Sequence, residues 1–421
     1  MKKKVLIISA NPVDLCQNNG KTLLSFFDGY DTDRIAQLYF YPTVPNTDAV
    51  QNFFRISDLD VLRKRLGRVP AAGGTVKPAA AAAVEEDEDT ARMGRVKKGA
   101  LMRLAREVLW KGAWKSRALD AWLDDFAPEC IFFVAGDGLY TYDIFEYAKR
   151  RSGAKSIVYV TDDYILPRRT WNPVRVLRQR LTLRRMKRCV READAFLTIS
   201  EKMRRTYRDV LGKDSMLAVN MSDCLKEDDA AAAPGGGLLL TYLGGLHYNR
   251  DKTLRRLGEA VAAVNASAGT ELFLEIYSNA RLDDAQRAAL EVPGASRFCG
   301  QVDRSGVRRK VNEADVLVHV ESFLAKNVED VLLSVSTKIP EYLSVGKPIL
   351  AIGPANVASM EYLQEIACCV TDEAALEARL RLLAETPALR SELGRRAEEA
   401  YWTNHSCDVQ RDRLWQLIDQ L

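Results

Sequence analysis

Residues 334–352, SVSTKIPEYLSVGKPILAI, hold groups that could grip a phosphorylated ligand. Ser336 and Thr337 stand where they would cap a helix beginning near Lys338. The first-turn N–H groups of such a helix have no partner within it and its dipole end is positive, so it attracts phosphate. Lys338 adds a full positive charge. Glu341 follows three residues later on the same helix face, where a carboxylate can accept hydrogen bonds from ribose hydroxyls. Gly346 ends the helix and Pro348 opens the next strand. The plainer reading of Lys338 and Glu341 is a surface ion pair, worth roughly 0.3–0.5 kcal/mol.

A second stretch, residues 238–250 (LLLTYLGGLHYNR), is an apolar strand running into Gly244-Gly245. Glycines there let a backbone approach a bound ligand closely. Arg250 opens the next helix and can pair with phosphate oxygens through two N–H groups. His247 reads as an acid or base, or as a structural residue beside the glycine turn. Asp162 or Asp163, after the strand 157–160, would lie where open αβ sheets face their ligand cleft. The alternative for this pair is to cap the following helix. With three histidines and eight cysteines, none in a CxxC pair, a zinc ribbon or finger is not expected. No metal site is assigned.

The elements that must carry these groups are short apolar runs alternating with amphipathic stretches. Residues 5–8, 130–134, 157–160 and 196–199 read as strands covered on both faces, as in a parallel sheet. The pattern restarts with 238–243, 272–277, 314–320 and 349–352. Helical patterns at 252–268, 283–290, 305–313 and 338–344 separate this second set. The spacing predicts an α/β chain of two doubly wound, Rossmann-like domains. They span 1–222 and 238–400, joined by a polar, Ala/Gly-rich linker at 223–237. Beyond 352 the chain is expected to be helical, and 401–421 to be a terminal helix crossing back to the first domain. Residues 70–90, with a poly-Ala run and then Glu85-Glu86-Asp87-Glu88-Asp89, read as a low-complexity insertion.

The second half resembles the nucleotide-sugar-binding domain of GT-B fold glycosyltransferases, in particular retaining enzymes of the family 4 type. Tyr242-Leu243-Gly244-Gly245-Leu246 matches the family's strand and glycine turn, and Arg250 falls at its phosphate-binding Lys. Glu341 falls on the second, ribose-binding Glu of its spaced pair. Ser336-Thr337-Lys338 with Gly346-Lys347-Pro348 resembles the variant found in enzymes building capsular and surface polysaccharides. Residues 298–302, with Gly300 and Val302, resemble the segment whose backbone meets the nucleobase. In the first half, Asn19 and Gly20 fall in the loop that faces the donor, and 193–201 resembles the end of the acceptor domain. Two departures stand out. Gly245 replaces the usual Arg, and Leu333 replaces the first Glu, leaving Glu321, Glu329 or the backbone to hold the sugar.

The resemblance implies two domains facing across a cleft. It implies transfer of a sugar from a nucleoside diphosphate sugar, with retention and without metal or other cofactor, to a glycan or lipid-linked glycan. Arg250 and Lys338 would stabilise the departing diphosphate, and Asp162 would meet the acceptor. The alternatives are a nucleotide-sugar epimerase on the same fold, or a subunit that binds the nucleotide sugar without turnover.

Length and composition (421 residues, 47% hydrophobic, 28% charged, net charge +4) are those of a globular chain. No apolar run reaches membrane-spanning length. Most of the cysteines sit in apolar stretches, which suits a reducing cytoplasm. Basic residues gather in two places. Arg168, Arg169, Arg175, Arg178, Arg180, Arg184, Arg185, Lys187, Arg188 and Arg191 follow one another with no acid between them, and a cluster over 92–117 interleaves Trp110 and Trp114. These read as solvated helix faces or as contacts to the anionic inner face of the cell membrane, where Trp beside Lys and Arg is the composition of an interfacial helix. Nucleic acid is not an expected partner, since no stacking platform or helix-turn-helix pattern accompanies the charge.

Overall fold

The computed structural model describes residues 2–15, 18–79, 99–166, 168, 170–227, 237–268 and 271–421. Most of the low-complexity insertion and residues 228–236 of the linker lie outside them, as does the side chain of Asn19. The chain divides into two units. The first comprises Met1–Ile199, Arg204–Ala218 and Arg411–Leu421; the second comprises Ser200–Met203 and Val219–Gln410.

The first unit is built on an eight-stranded sheet of order β4-β3-β2-β1-β5-β6-β7-β8. Its strands are β1 (Val5–Ser9), β2 (Ile35–Tyr39), β3 (Asn52–Arg55), β4 (Gly74–Val76), β5 (Cys130–Ala135), β6 (Lys155–Val160), β7 (Ala195–Thr198) and β8 (Met216–Leu217). All pairs are parallel except β3 with β4. The four expected strands are present, and β2, β3, β4 and β8 are additional. β2 escapes a search for apolar runs because Gln37 sits in its middle. That amide is wholly buried and fully used. It donates to Ser9 Oγ (2.7 Å) and to the Asn11 carbonyl (3.1 Å), and it accepts from the Val13 N–H (2.7 Å). Gln37 thereby fixes the loop that leaves β1. Gln37→Leu should strand buried polar groups and cost about 1–3 kcal/mol, read as a lower unfolding midpoint; an unchanged midpoint would show that the loop does not depend on it.

The second unit carries a six-stranded, all-parallel sheet of order β11-β10-β9-β12-β13-β14. The strands are β9 (Leu238–Leu243), β10 (Leu272–Tyr277), β11 (Ser296–Gly300), β12 (Val316–Val320), β13 (Ile349–Ile352) and β14 (Cys368–Val370). Helices cover both faces, so Leu240, Leu274 and Val318 meet one core layer while Leu243, Leu317 and Ile349 meet the other. The expectation of helix alone beyond residue 352 fails at β14, three residues long and paired with β13.

In each sheet the strand order reverses once, between β1 and β5 and again between β9 and β12. Loops leaving the carboxyl ends of such neighbours diverge to opposite faces and open a crevice for ligands. The last helix, Cys407–Gln420, has its residues from Arg411 onward in the first unit. There Trp415 Nε1 donates to the Phe26 carbonyl (2.9 Å), and Arg411 reaches the Ser25 carbonyl and Asp28 (2.9 Å each).

The interfacial reading of Trp110 and Trp114 is overturned. Both rings are buried. Trp110 stacks on Tyr140 with centroids 3.9 Å apart and donates from Nε1 to Asp58 (2.7 Å). Their neighbours are not free either: Arg103 pairs with Asp137 and Arg106 with Asp58.

Candidate active site

β9 delivers the glycine turn to the switch point of the second sheet. Its carboxyl end is tied down twice. The Tyr342 hydroxyl accepts from the Leu243 N–H (2.9 Å) and donates to the Leu243 carbonyl (3.0 Å), which pins the helix Lys338–Leu343 to the strand. The Tyr242 hydroxyl donates to the Gly245 carbonyl (2.8 Å). A Cβ on Gly245 would lie 2.4 Å from His247 Nδ1. The residue that departs from the family's Arg is therefore one that leaves room for the His247 ring. Tyr248 and Asn249 then take left-handed conformations (φ 61° and 56°), a sharp reversal that starts the helix Arg250–Ala268.

Arg250 is held by Glu321, at the carboxyl end of the neighbouring β12. Its Nη2 lies 2.9 and 3.1 Å from the two carboxylate oxygens, and its Nε lies 3.2 Å from one of them. The pair is nearly dry, with side chains 13% and 3% exposed. Burial alone would raise the Glu321 pKa, but His319 and Arg250 outweigh it and hold the carboxyl below its ordinary range. Thr253 Oγ1 donates to the Glu321 carbonyl (3.1 Å), locking the backbone that carries the acid. His319 Nε2 is 3.5 Å from Glu321 Oε1 and is a buried nitrogen with no hydrogen-bond partner among the described residues. The outer edge of Arg250 remains: Nη1 stands 3.2 Å from His247 Nε2. Partial desolvation and then the Arg250 charge push the His247 pKa down, so this exposed imidazole is neutral near pH 7.

The second predicted cluster lies on the same end of the sheet, at the start of the helix that Tyr342 pins. Lys338 Nζ and Glu341 Oε2 are 2.8 Å apart, both partly exposed, so the two groups occupy one another. The capping expectation holds in part. Ser336 Oγ accepts from the Lys338 N–H at 3.3 Å, but Thr337 is already in helical conformation and its side chain caps nothing. Ser359 supports the segment, accepting from the Ser336 N–H (3.2 Å). Leu333 is buried, and its carbonyl accepts from Ser200 Oγ (2.8 Å). Its side chain offers nothing to a sugar. Gly300, at φ 78°, ends β11, and its carbonyl accepts from the Ser278 N–H (2.9 Å). Val302 follows, packed close to Gly306.

Gly20 and Asp162 belong to the first unit. A Cβ on Gly20 would sit 2.7 Å from the Pro12 carbonyl oxygen, so glycine lets the helix Asn18–Phe27 close on the loop after β1. Asp162 follows β6 and its Oδ1 accepts from the Asp163 N–H (2.8 Å). Asp163 is committed to structure: its Oδ1 accepts from Ile165 N–H (3.2 Å), Leu166 N–H (3.1 Å) and the Tyr207 hydroxyl (2.9 Å). Among the described residues no group of three or more His, Cys, Asp or Glu is placed to hold a metal ion.

Neither a family model nor a curated protein matches the sequence. Solved structures do. A glycosyltransferase from Rickettsia africae ESF-5 matches at 9% identity and TM-score 0.59, over 100% of this chain and 98% of that one. The alpha,alpha-trehalose 6-phosphate synthase from Burkholderia multivorans matches at 12% and 0.61, over 100% and 97%. A trehalose-6-phosphate protein from E. coli bound with UDP-2-fluoro glucose matches at 10% and 0.61, over 99% of each chain. The chain has the GT-B fold. Within that fold, the groups around Arg250 and Lys338 sit at the carboxyl end of the second Rossmann-like sheet. The Arg250–Glu321–His319 association was not legible as a unit, because 71 residues separate the ion pair. The one signal was polar His and Glu closing an otherwise apolar strand, VLVHVE.

Proposed function

We propose that the chain is a glycosyltransferase that moves a sugar from a nucleoside diphosphate sugar to a glycan or lipid-linked glycan in surface polysaccharide synthesis, retaining the anomeric configuration and needing no metal. The observation that carries this reading is the placement, on a GT-B fold, of Arg250 and the Ser336–Lys338–Glu341 segment at the switch point of the second sheet. The E. coli protein of like fold is bound with UDP-2-fluoro glucose, and another, from Burkholderia xenovorans, is in complex with glucose-6-phosphate.

The two cations of the second unit's site are each matched by a carboxylate. Glu321 holds Arg250 and turns its Nη1 edge outward; Glu341 holds Lys338. An entering diphosphate would take that outer edge together with the Lys338 ammonium. Once released, the Glu341 carboxylate is free to accept from the ribose hydroxyls. As the bond between the sugar and the diphosphate lengthens, negative charge grows on the leaving oxygen, and cations fixed beforehand stabilise it more than they stabilise the bound donor. Asp162 is the proposed contact of the acceptor hydroxyl. Gly300 and Val302 would offer backbone to the base, and Gly244 a close approach to the phosphates.

A panel of nucleoside diphosphates and their sugars, read by thermal shift, tests the donor. A ligand that binds only the folded chain raises the melting temperature, by about 2.7 kcal/mol of stability at 100 times its Kd. Transfer should persist in EDTA. A panel that moves nothing would sink the proposal. Gly245 and the buried Leu333 favour a second reading, a subunit that binds the donor without turnover; it predicts a thermal shift with neither transfer nor donor hydrolysis.

A further inference from the structure

The surface of the first unit carries a feature that sugar transfer does not require. Three of its helices adjoin: Asp58–Arg65, Ala100–Trp110 and Pro173–Glu192. Arg65 of the first reaches the backbone carbonyls of Leu109 (3.0 Å) and Lys111 (2.5 Å) at the end of the second. Arg178 of the third stands 3.7 Å from Glu107 of the second. The second helix exposes apolar residues besides those it buries. Its charged residues Arg103, Arg106 and Glu107 are taken up by partners, while Leu101 (75% exposed), Met102 and Val108 (66%) face out. The first helix adds exposed Leu59 and Leu62, and Leu66 follows just beyond its end. Scattered exposed apolar residues need no explanation, but four leucines, Met102 and Val108 are concentrated on these two adjoining helices and the residue that ends the first.

The third helix supplies the charge. Arg178, Arg185 and Arg188 pair with Asp137, Asp143 and Glu146. Arg180, Arg184, Lys187 and Arg191 recur at four, three and four residues, so they share one face. Among the described residues they make no ion pair, and with Leu183 and the paired Arg185 and Arg188 they line an open groove. Exposed Leu177 continues the same stripe, and fully exposed Trp171 stands just before the helix.

We propose that this face docks on an anionic lipid bilayer, with Leu101, Val108, Leu62 and Trp171 entering the headgroup and acyl boundary and the Arg180–Arg191 stripe meeting lipid phosphates. Nucleic acid would satisfy the cations but has no apolar phase for the leucines. A second copy of this chain would bring the same uncompensated positive stripe. An anionic membrane satisfies both halves at once. The inference does not depend on the transferase reading.

The test is flotation of the full chain with vesicles of phosphatidylcholine alone and of phosphatidylcholine with 30% phosphatidylglycerol, at low and high salt. Binding is expected to the anionic vesicles and to weaken with salt. Each cation near the surface is worth roughly fivefold in partitioning, so R180E/R184E/K187E/R191E should lower it by at least about a hundredfold. L101S/V108S should weaken it while sparing the salt dependence. All six positions are exposed or turned outward, and an unchanged melting temperature confirms that the variants fold. The proposal is overturned by equal binding to both vesicles, by indifference to both variants, or by a chain that ignores vesicles and is a dimer dispersed by L101S/V108S.

Discussion

Arg250→Ala is expected to cripple transfer and to destabilise the second unit together. With the guanidinium gone, Glu321 keeps its negative charge in a nearly dry site beside His319, and breaking one side of a buried ion pair costs about 3–5 kcal/mol. Activity should fall about 10²–10³-fold, the range for losing one donor that stabilises developing charge. Removing both partners separates the two effects. Arg250→Met with Glu321→Leu leaves no orphaned charge, so stability should recover most of the loss while transfer stays lost. Glu321→Gln makes a sharper distinction. Arg250 survives but its anchor is neutral, so its outer edge loses direction; donor affinity should fall less than turnover. Full activity in Glu321→Gln would show that Arg250 orients itself without the carboxylate. The pair also sets a pH limit. Glu321 is held below its ordinary pKa, so its contribution to stability is complete above the unfolded value near 4.3 and is lost as pH falls through the lower folded value. His247 is likewise depressed, and its protonation beside Arg250 opposes folding as pH drops below about 6.5, weakly because the ring is exposed. Urea midpoints of the wild type should therefore decline gently below about pH 6.5 and further as the pH falls from about 4.3 toward about 3, and in the Arg250→Met, Glu321→Leu variant they should decline less.

What the sequence revealed and what it hid divide along a physical line. Strands covered on both faces announce themselves as unbroken apolar runs, which is why β1, β5, β9 and β13 were legible. β2 was not, because Gln37 satisfies its amide through loop atoms that no local pattern displays. β14 is too short to show a period. Local spacing correctly put Lys338 and Glu341 within reach of each other, and it put a glycine turn after β9. It could not show that Thr337 had already entered the helix, since Ser and Thr at neighbouring positions offer the same chemistry. Nor could it give direction. Trp110 and Trp114 have interfacial composition, but Trp110 turns inward to Phe40 and Tyr140, and leucines that attracted no notice face out. Composition names the ingredients of a surface; only the helix phase set by tertiary packing decides which of them reach it.

The second large effect is expected at Lys338 and Glu341, and it should differ in kind between them. The two form one partly exposed pair, which contributes at most about 1 kcal/mol. Neither Lys338→Ala nor Glu341→Ala should therefore change the melting temperature by more than about 2 °C. Their consequences for a nucleotide sugar are separate because the pair must split to bind one. Lys338→Ala removes a cation from the leaving diphosphate, where charge develops during the reaction; kcat should drop about 10²–10³-fold. Glu341→Ala removes a ribose contact that is equal in the ground and transition states; KM should rise with kcat little changed. The two variants should also respond differently to the ligand. A nucleoside diphosphate should stabilise Glu341→Ala more than Lys338→Ala, since Glu341 no longer competes with phosphate for the ammonium. Lys338→Arg should restore part of the turnover, because the charge returns with a different reach. If both alanine variants bind and turn over the donor as the wild type does, the pair is a surface ion pair and nothing more, and the site must lie elsewhere on the sheet.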